Sequence, residues 1–133
     1  MTSVAAELIF ENLSREIIGA AMEVLNVLKP GLDEKLYERA LILELESRGH
    51  AICCQKRFRV TYREKHIGTL IPDIIVEDSV LVDTKVVSAF TANHLAQMIG
   101  YLAITKLELA ILLNFGQAEL RWKRVVRQPS LKN

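Results

Sequence analysis

Val80-Leu81-Val82-Asp83-Thr84-Lys85-Val86-Val87, with Pro72-Asp73 upstream and nine residues between Asp73 and Asp83, is the stretch on which the reading of the chain turns. The run is short and rich in β-branched residues, the composition of a buried strand. It nevertheless carries an acid and a base two positions apart, and a period of two puts Asp83 and Lys85 on the same face. Burying a carboxylate and an ammonium costs several kcal/mol per ion unless each finds a partner. A divalent cation and a phosphate would supply those partners.

Working outward, Ile67 to Val76 reads as the preceding strand, and Pro72 in its middle demands an edge, a bulge or a break. Glu77-Asp78-Ser79 turns that strand into the next, which predicts an antiparallel hairpin bringing Asp73 near Asp83. Further upstream Phe58, Val60 and Tyr62 alternate with Arg57, Arg59 and Thr61, a half-exposed strand that turns at Arg63-Glu64-Lys65. Before Gly49 the period is helical. Ile9, Leu13, Ile17, Ala20, Val24 and Leu28 recur at three and four, giving a helix over about residues 7–28 that Lys29-Pro30-Gly31 ends. A second helix runs from about Glu34 to Arg48, with Asp33 placed as N-cap and Gly49 as C-cap.

Downstream, Thr91 caps a helix over residues 92–105, and the apolar Leu109–Asn114 suits a central buried strand. Gly116-Gln117 turns the chain into an exposed strand, Leu120–Val126, bearing Trp122 and several cations. The tail from Gln128 is expected to fray. The order is ααβββαββ, an α/β sandwich with a mixed sheet. With no internal repeat, low-complexity tract or linker, the expectation is one domain over residues 1–133.

At 133 residues and 50% apolar, the chain can bury roughly two-thirds of its unfolded surface without disulfide or zinc staples. No apolar run reaches the roughly twenty residues of a membrane span and no signal-like leader is evident, so the expectation is a cytoplasmic protein without a membrane partner. Cys53 and Cys54 are adjacent and read as reduced thiols, and no spacing suggests zinc. His50 and His66 sit at turns and read as solvated. Net charge is only +1, but residues 1–50 hold five basic and nine acidic residues and residues 51–133 twelve and seven. The excess gathers around Arg57 and Arg59 and around Arg121, Lys123 and Arg124, where it can meet phosphates or form a solvated strand face.

The αβββαβ order, with Pro-Asp ahead of one strand and Asp-x-Lys in the next, resembles the PD-(D/E)XK nuclease superfamily. Gly31-Leu32-Asp33-Glu34-Lys35-Leu36-Tyr37 matches the Gly-x-x-Glu-x-x-Tyr signature of the GxxExxY proteins, a predicted branch of that superfamily. Gln97-x-x-x-Tyr101 is similar to the helix motif of RecB-like members, and Leu113-Asn114-Phe115-Gly116 resembles the segment after their central strand. The resemblance covers about residues 15–127. It implies a restriction-endonuclease-like α/β fold, a mixed sheet flanked by helices.

It also implies a nuclease, and the chemistry is intelligible from the residues. Phosphodiester hydrolysis needs a cation to polarise a phosphoryl oxygen beside an activated water. Hard oxygen ligands select Mg²⁺ or Mn²⁺, which keep several waters and need few protein ligands. Asp73 and Asp83 are the expected ligands, with the Thr84 carbonyl as a third and Glu34 through water. Lys85, held charged by its anionic neighbours, suits transition-state stabilisation better than general-base work. By resemblance Gln97 and Tyr101 line the cleft, Gln97 steadying a ligand and Tyr101 contacting phosphate or packing beneath; His94 has no role there. Tyr37 reads as a core residue with a hydrogen-bonded hydroxyl, and Trp122 as packing rather than a stacking platform.

One departure stands out. The family commonly has Glu where this chain has Asp83, which draws the carboxylate back by one methylene, about 1.5 Å. The residues therefore point to a nuclease acting on DNA or, second, RNA. The alternative is a weak or inactive nuclease-fold module that binds nucleic acid or a protein. So small a domain leaves room for a homodimer, although no segment identifies an interface.

Overall fold

The computed structural model describes residues 4–127, so the tail expected to fray lies outside the described residues. Two helices open the chain, α1 (Val4–Leu28) and α2 (Glu34–Ser47). The stripe of α1 is buried at Leu13, Ile17, Ala20 and Val24, and α2 adds Tyr37, Leu41 and Leu45; the side chain of Ile9 lies outside the described set. Lys29 stops α1 with a left-handed φ of +64°, and Pro30 cannot extend the ladder. Asp33 holds the N-cap position of α2 in extended backbone, but its side chain accepts no bond there, so its expected capping role is positional only. At the other end Gly49, with φ +90°, closes a Schellman turn: its N–H reaches Glu46 O at 2.9 Å and that of His50 reaches Leu45 O at 3.1 Å.

The expected single strand over Ile67–Val76 is divided. A two-residue strand, β1 (Ile52–Cys53), comes first, and β2 (Phe58–Tyr62) pairs with β3 (Lys65–Leu70) in a separate two-stranded sheet. The chain leaves that sheet at Ile71-Pro72-Asp73, where proline has no N–H to offer a ladder, and re-enters the main sheet as β4 (Ile74–Val76). β5 (Val80–Lys85) follows antiparallel to β4, then α3 (Ala92–Thr105), β6 (Leu109–Asn114) and β7 (Arg121–Val126).

The main sheet runs β1-β4-β5-β6-β7; β5 and β6 are parallel across the α3 crossover and the other pairs are antiparallel, so it is mixed. The element order is ααβββββαββ rather than the expected ααβββαββ. β5 ends at Lys85 instead of Val87 because the backbone of Val87 pairs with a side chain: Asn114 Oδ1 accepts from its N–H at 3.1 Å and Nδ2 donates to its carbonyl at 2.9 Å.

Strand alternation divides the core between two layers. Ile74, Val76, Val80, Val82, Leu109, Ile111 and Leu113 face α1 and α2, whereas Leu81, Ala110, Leu112 and Val125 face Met98 and Leu102 of α3. α3 opens with a capping box that gives His94 its role: Thr91 Oγ1 accepts from the His94 N–H at 3.3 Å and His94 Nδ1 accepts from the Thr91 N–H at 3.0 Å. Crossover and cap together fix which side chains of α3 overlook the ends of β5 and β6.

Candidate active site

The pleat of β5 puts Asp83 and Lys85 on the α3 side, in line with Leu81. Asp83 is buried, and the Lys85 ammonium lies 2.8 Å from its Oδ2. The ammonium gives that buried oxygen its charge compensation. Lys85 Nζ donates to Gln97 Oε1 at 3.1 Å, and Gln97 Nε2 donates to the Tyr101 hydroxyl at 3.2 Å. The spacing of four on α3 makes this chain possible. Burial alone would lower the ammonium of Lys85, but Asp83 and then Glu34 outweigh it and raise its pKa above the usual lysine value.

The β4–β5 ladder ends at Ile74↔Val82, so Asp73 is the next residue outward on one strand and Asp83 on the other. Pro72 is what frees Asp73 from the ladder at this point. Burial first, then the negative charges of Glu38 and Asp83, push the Asp73 carboxyl up to about 6. Glu38, buried on α2, is the residue the sequence reading missed. Its charge raises the Asp73 carboxyl, and it takes the Lys35 ammonium at 2.8 Å. The available signal was its place four after Glu34, which puts both on one face of α2. Glu34 is raised chiefly by burial, with the Lys85 charge opposing and that of Asp83 adding.

Two devices hold this ring of groups. Tyr37 is fully buried and stacked on Phe115, with ring centroids 4.9 Å apart; its hydroxyl donates to Lys29 O at 2.6 Å and accepts from the Leu32 N–H at 3.1 Å. It therefore clasps both sides of the α1–α2 turn, where Gly31 has φ +114°. Glu34 begins α2 directly beyond that clasp. On the other side Asn114 Oδ1 also accepts from the Gly116 N–H at 2.9 Å, and a Cβ at Gly116 would meet Val87 O at 2.6 Å. Only glycine fits there, which keeps the segment leading from Lys85 toward α3 against the end of β6.

The basic residues separate. Asp83 aligns with Leu112 and Leu112 with Lys123, while Lys85 aligns with Asn114 and Asn114 with Arg121, so Arg121 and Lys123 continue the rows of the two site residues across the sheet. Arg124 has the opposite parity. It borders a cleft with Glu7, Phe10 and Glu108 on the other face, apart from Arg121 and Lys123. Arg57 precedes β2 and Arg59 is exposed on it, in the hairpin outside the main sheet.

Among the described residues, no three side chains drawn from His, Cys, Asp and Glu are gathered closely enough to chelate a metal ion. The expected set of Glu34, Asp73 and Asp83 is therefore not a preassembled chelate; the Lys85 ammonium sits against Asp83 instead. The donors still suit a hard cation. They are oxygens, Asp83 among them is buried, and Mg²⁺ is commonly held by one or two carboxylates with several waters. Thr84 is fully buried between its neighbours, its side-chain oxygen without a partner.

A mixed sheet covered by helices on both faces, with acids and a lysine where a central strand emerges beside a parallel neighbour, is the architecture of a phosphodiester-cleaving class. The chain belongs to the PD-(D/E)XK nuclease superfamily, whose family model matches residues 11–125, and it has the α/β fold of that superfamily. Its nucleases generally use divalent metal ions. Among solved structures the chain is similar to an alkaline exonuclease (LHK-Exo) from Laribacter hongkongensis, at 15% identity and a TM-score of 0.47, covering 81% of this chain and 76% of that chain. The same exonuclease in complex with dAMP gives 14% identity and a TM-score of 0.48 over the same shares. No curated protein matches the chain significantly. No helix among the described residues is long and apolar enough to cross a membrane.

Proposed function

We propose that this chain is a metal-dependent nuclease of the GxxExxY branch, RecB-like in its helix motif, which hydrolyses phosphodiester bonds of DNA as one domain over residues 1–133. The observation that carries the reading is the buried Asp83 beside Lys85 at the end of β5, with Asp73 at the matching position beyond β4. Asp73, Asp83 and the Thr84 carbonyl would hold Mg²⁺ or Mn²⁺, with Glu34 bound through water; such an ion polarises the phosphoryl oxygen and acidifies a bound water.

The remaining work falls to side chains of this chain. Lys85 stays protonated and presents positive charge where the phosphate gains negative charge. Gln97 fixes the ammonium through its hydrogen bond, and Tyr101 fixes Gln97 in turn. Glu38, through its negative charge, raises the proton affinity of Asp73. Arg121 and Lys123, in the rows of Lys85 and Asp83, suit the phosphates that flank the scissile one.

The test is incubation of wild type and Asp83→Asn with labelled single-stranded, duplex and branched DNA and with RNA, in Mg²⁺, Mn²⁺ or EDTA. Cleavage is expected in Mn²⁺ or Mg²⁺, not in EDTA, and not by the variant. One observation favours a second reading, a nuclease-fold module that binds without cutting: three acids are not gathered as a chelate while Lys85 already neutralises Asp83. A wild type that binds DNA yet cleaves nothing in either metal would move the conclusion there.

A further inference from the structure

A cleft of about 670 Å³ lies where the end of α1, the α1–α2 turn and the start of β7 meet. Met22, Leu25 and Pro30 make an apolar wall, Asn26 offers an amide, and Lys29 and Arg121 are its cations. Trp122 completes it. On β7 this residue sits opposite Leu113, which is fully buried beneath α1 and α2, yet Trp122 is 41% exposed because α1 stops at Leu28 and the chain turns away at Lys29. An indole on the core face of a strand is thus left partly open to solvent in a cleft.

From this arrangement we infer that the cleft is a subsite for an unpaired nucleotide of the nucleic-acid strand, with the base stacked on Trp122 and the phosphate between Lys29 and Arg121. The inference rests on the nuclease reading and extends it to the form of the substrate. Three observations select this occupant. The cleft lies around the edge strand from the site: Lys85 aligns with Asn114 and Asn114 with Arg121, two strand spacings or about 10 Å, and a nucleic-acid strand that passes Arg121 rounds the β7 edge to reach Trp122 on the opposite face. Its two cations meet a single acid, Glu119, paired with Arg121 at 3.6 Å with both side chains largely exposed, a contact weak enough for a phosphate to displace. Finally, aromatic wall, amide and cations are the combination by which proteins hold unstacked bases. A base inside a duplex keeps its faces covered and cannot use Trp122.

Trp122 is the only tryptophan of the chain, so its fluorescence reports on the cleft alone. The full chain in EDTA, where cleavage is not expected, is titrated with a single-stranded decathymidylate and with a blunt duplex, following tryptophan fluorescence together with the anisotropy of the labelled oligonucleotide. The expected result is quenching by the single strand and not by the duplex, with binding weakened by about 5- to 150-fold in Trp122→Ala and largely retained in Trp122→Phe. Anisotropy showing binding while the tryptophan signal stays flat overturns the subsite and leaves the nuclease reading standing. A signal that tracks protein concentration instead of oligonucleotide assigns the cleft to a second copy of the chain and equally overturns it. Absence of both binding and cleavage defeats the nuclease reading and this inference together.

Discussion

Asp73 concentrates the electrostatic cost of the site in one residue. Its carboxyl sits near 6 because burial, Glu38 and Asp83 all disfavour its ionised form. The folded protein therefore binds a proton here that the unfolded chain, near 3.8, has already released, so stability declines as pH rises from about 4 to about 6. In chelator, Asp73→Asn should thus be more stable than wild type at pH 7, by about 1 kcal/mol after allowing for solvent screening of a half-exposed group, and not at pH 4. Melting curves at the two pH values check this. An equal difference at both would mean that the acids do not repel one another. Glu38 belongs to the same account, and it was illegible for a reason: an acid on a helix reads as solvated until the strand it faces is known.

At the scale of elements, two parts of a single signature divide the labour. Gly31 and Tyr37 build the turn, whereas Glu34 faces the charged ring. Tyr37→Phe keeps the stack on Phe115 but leaves the Lys29 carbonyl and the Leu32 N–H without their partner. Thermal unfolding should show a loss of about 1–3 kcal/mol, and hydrogen exchange should show a faster amide at Leu32. Unchanged stability would reduce the clasp to a bystander.

The strand carrying Asp83 and Lys85 was legible because two charges in a β-branched run conflict with burial, and the three helices because their stripes and end signals agree. The fate of Ile67–Val76 was not. Pro72 announced an interruption, but whether it made a bulge, an edge or a change of sheet depended on partners distant in sequence. β1, at two residues, is too short to show any period. The side of the sheet on which Arg124 projects, opposite Arg121 and Lys123, likewise needed the register of β7 against β6.

At the scale of the molecule, the sheet organises charge as well as core. Arg121 and Lys123 continue the rows of Lys85 and Asp83, and Arg124 projects from the other face. Equilibrium binding of duplex DNA across a salt series should therefore give a log–log slope that flattens by about two units in an Arg121→Ala, Lys123→Ala double variant and stays unchanged in Arg124→Ala. Equal flattening in the two would mean that DNA reaches both faces.

The central claim is that Asp83 and Lys85 are kept in a buried strand for catalysis rather than for packing, and Lys85→Ala tests it most directly when melting temperature and DNA cleavage are measured on the same preparation in Mn²⁺. Without metal, the variant strands the buried Asp83 carboxylate and should melt earlier, by up to the about 3–5 kcal/mol of a broken buried pair. With Mn²⁺ bound to Asp73 and Asp83, most of that loss should return while cleavage stays about 10²- to 10³-fold below wild type, the cost of losing one electrostatic donor to the transition state. A Lys85→Ala protein that cleaves DNA at the wild-type rate, or one whose melting Mn²⁺ leaves unchanged, would contradict the account.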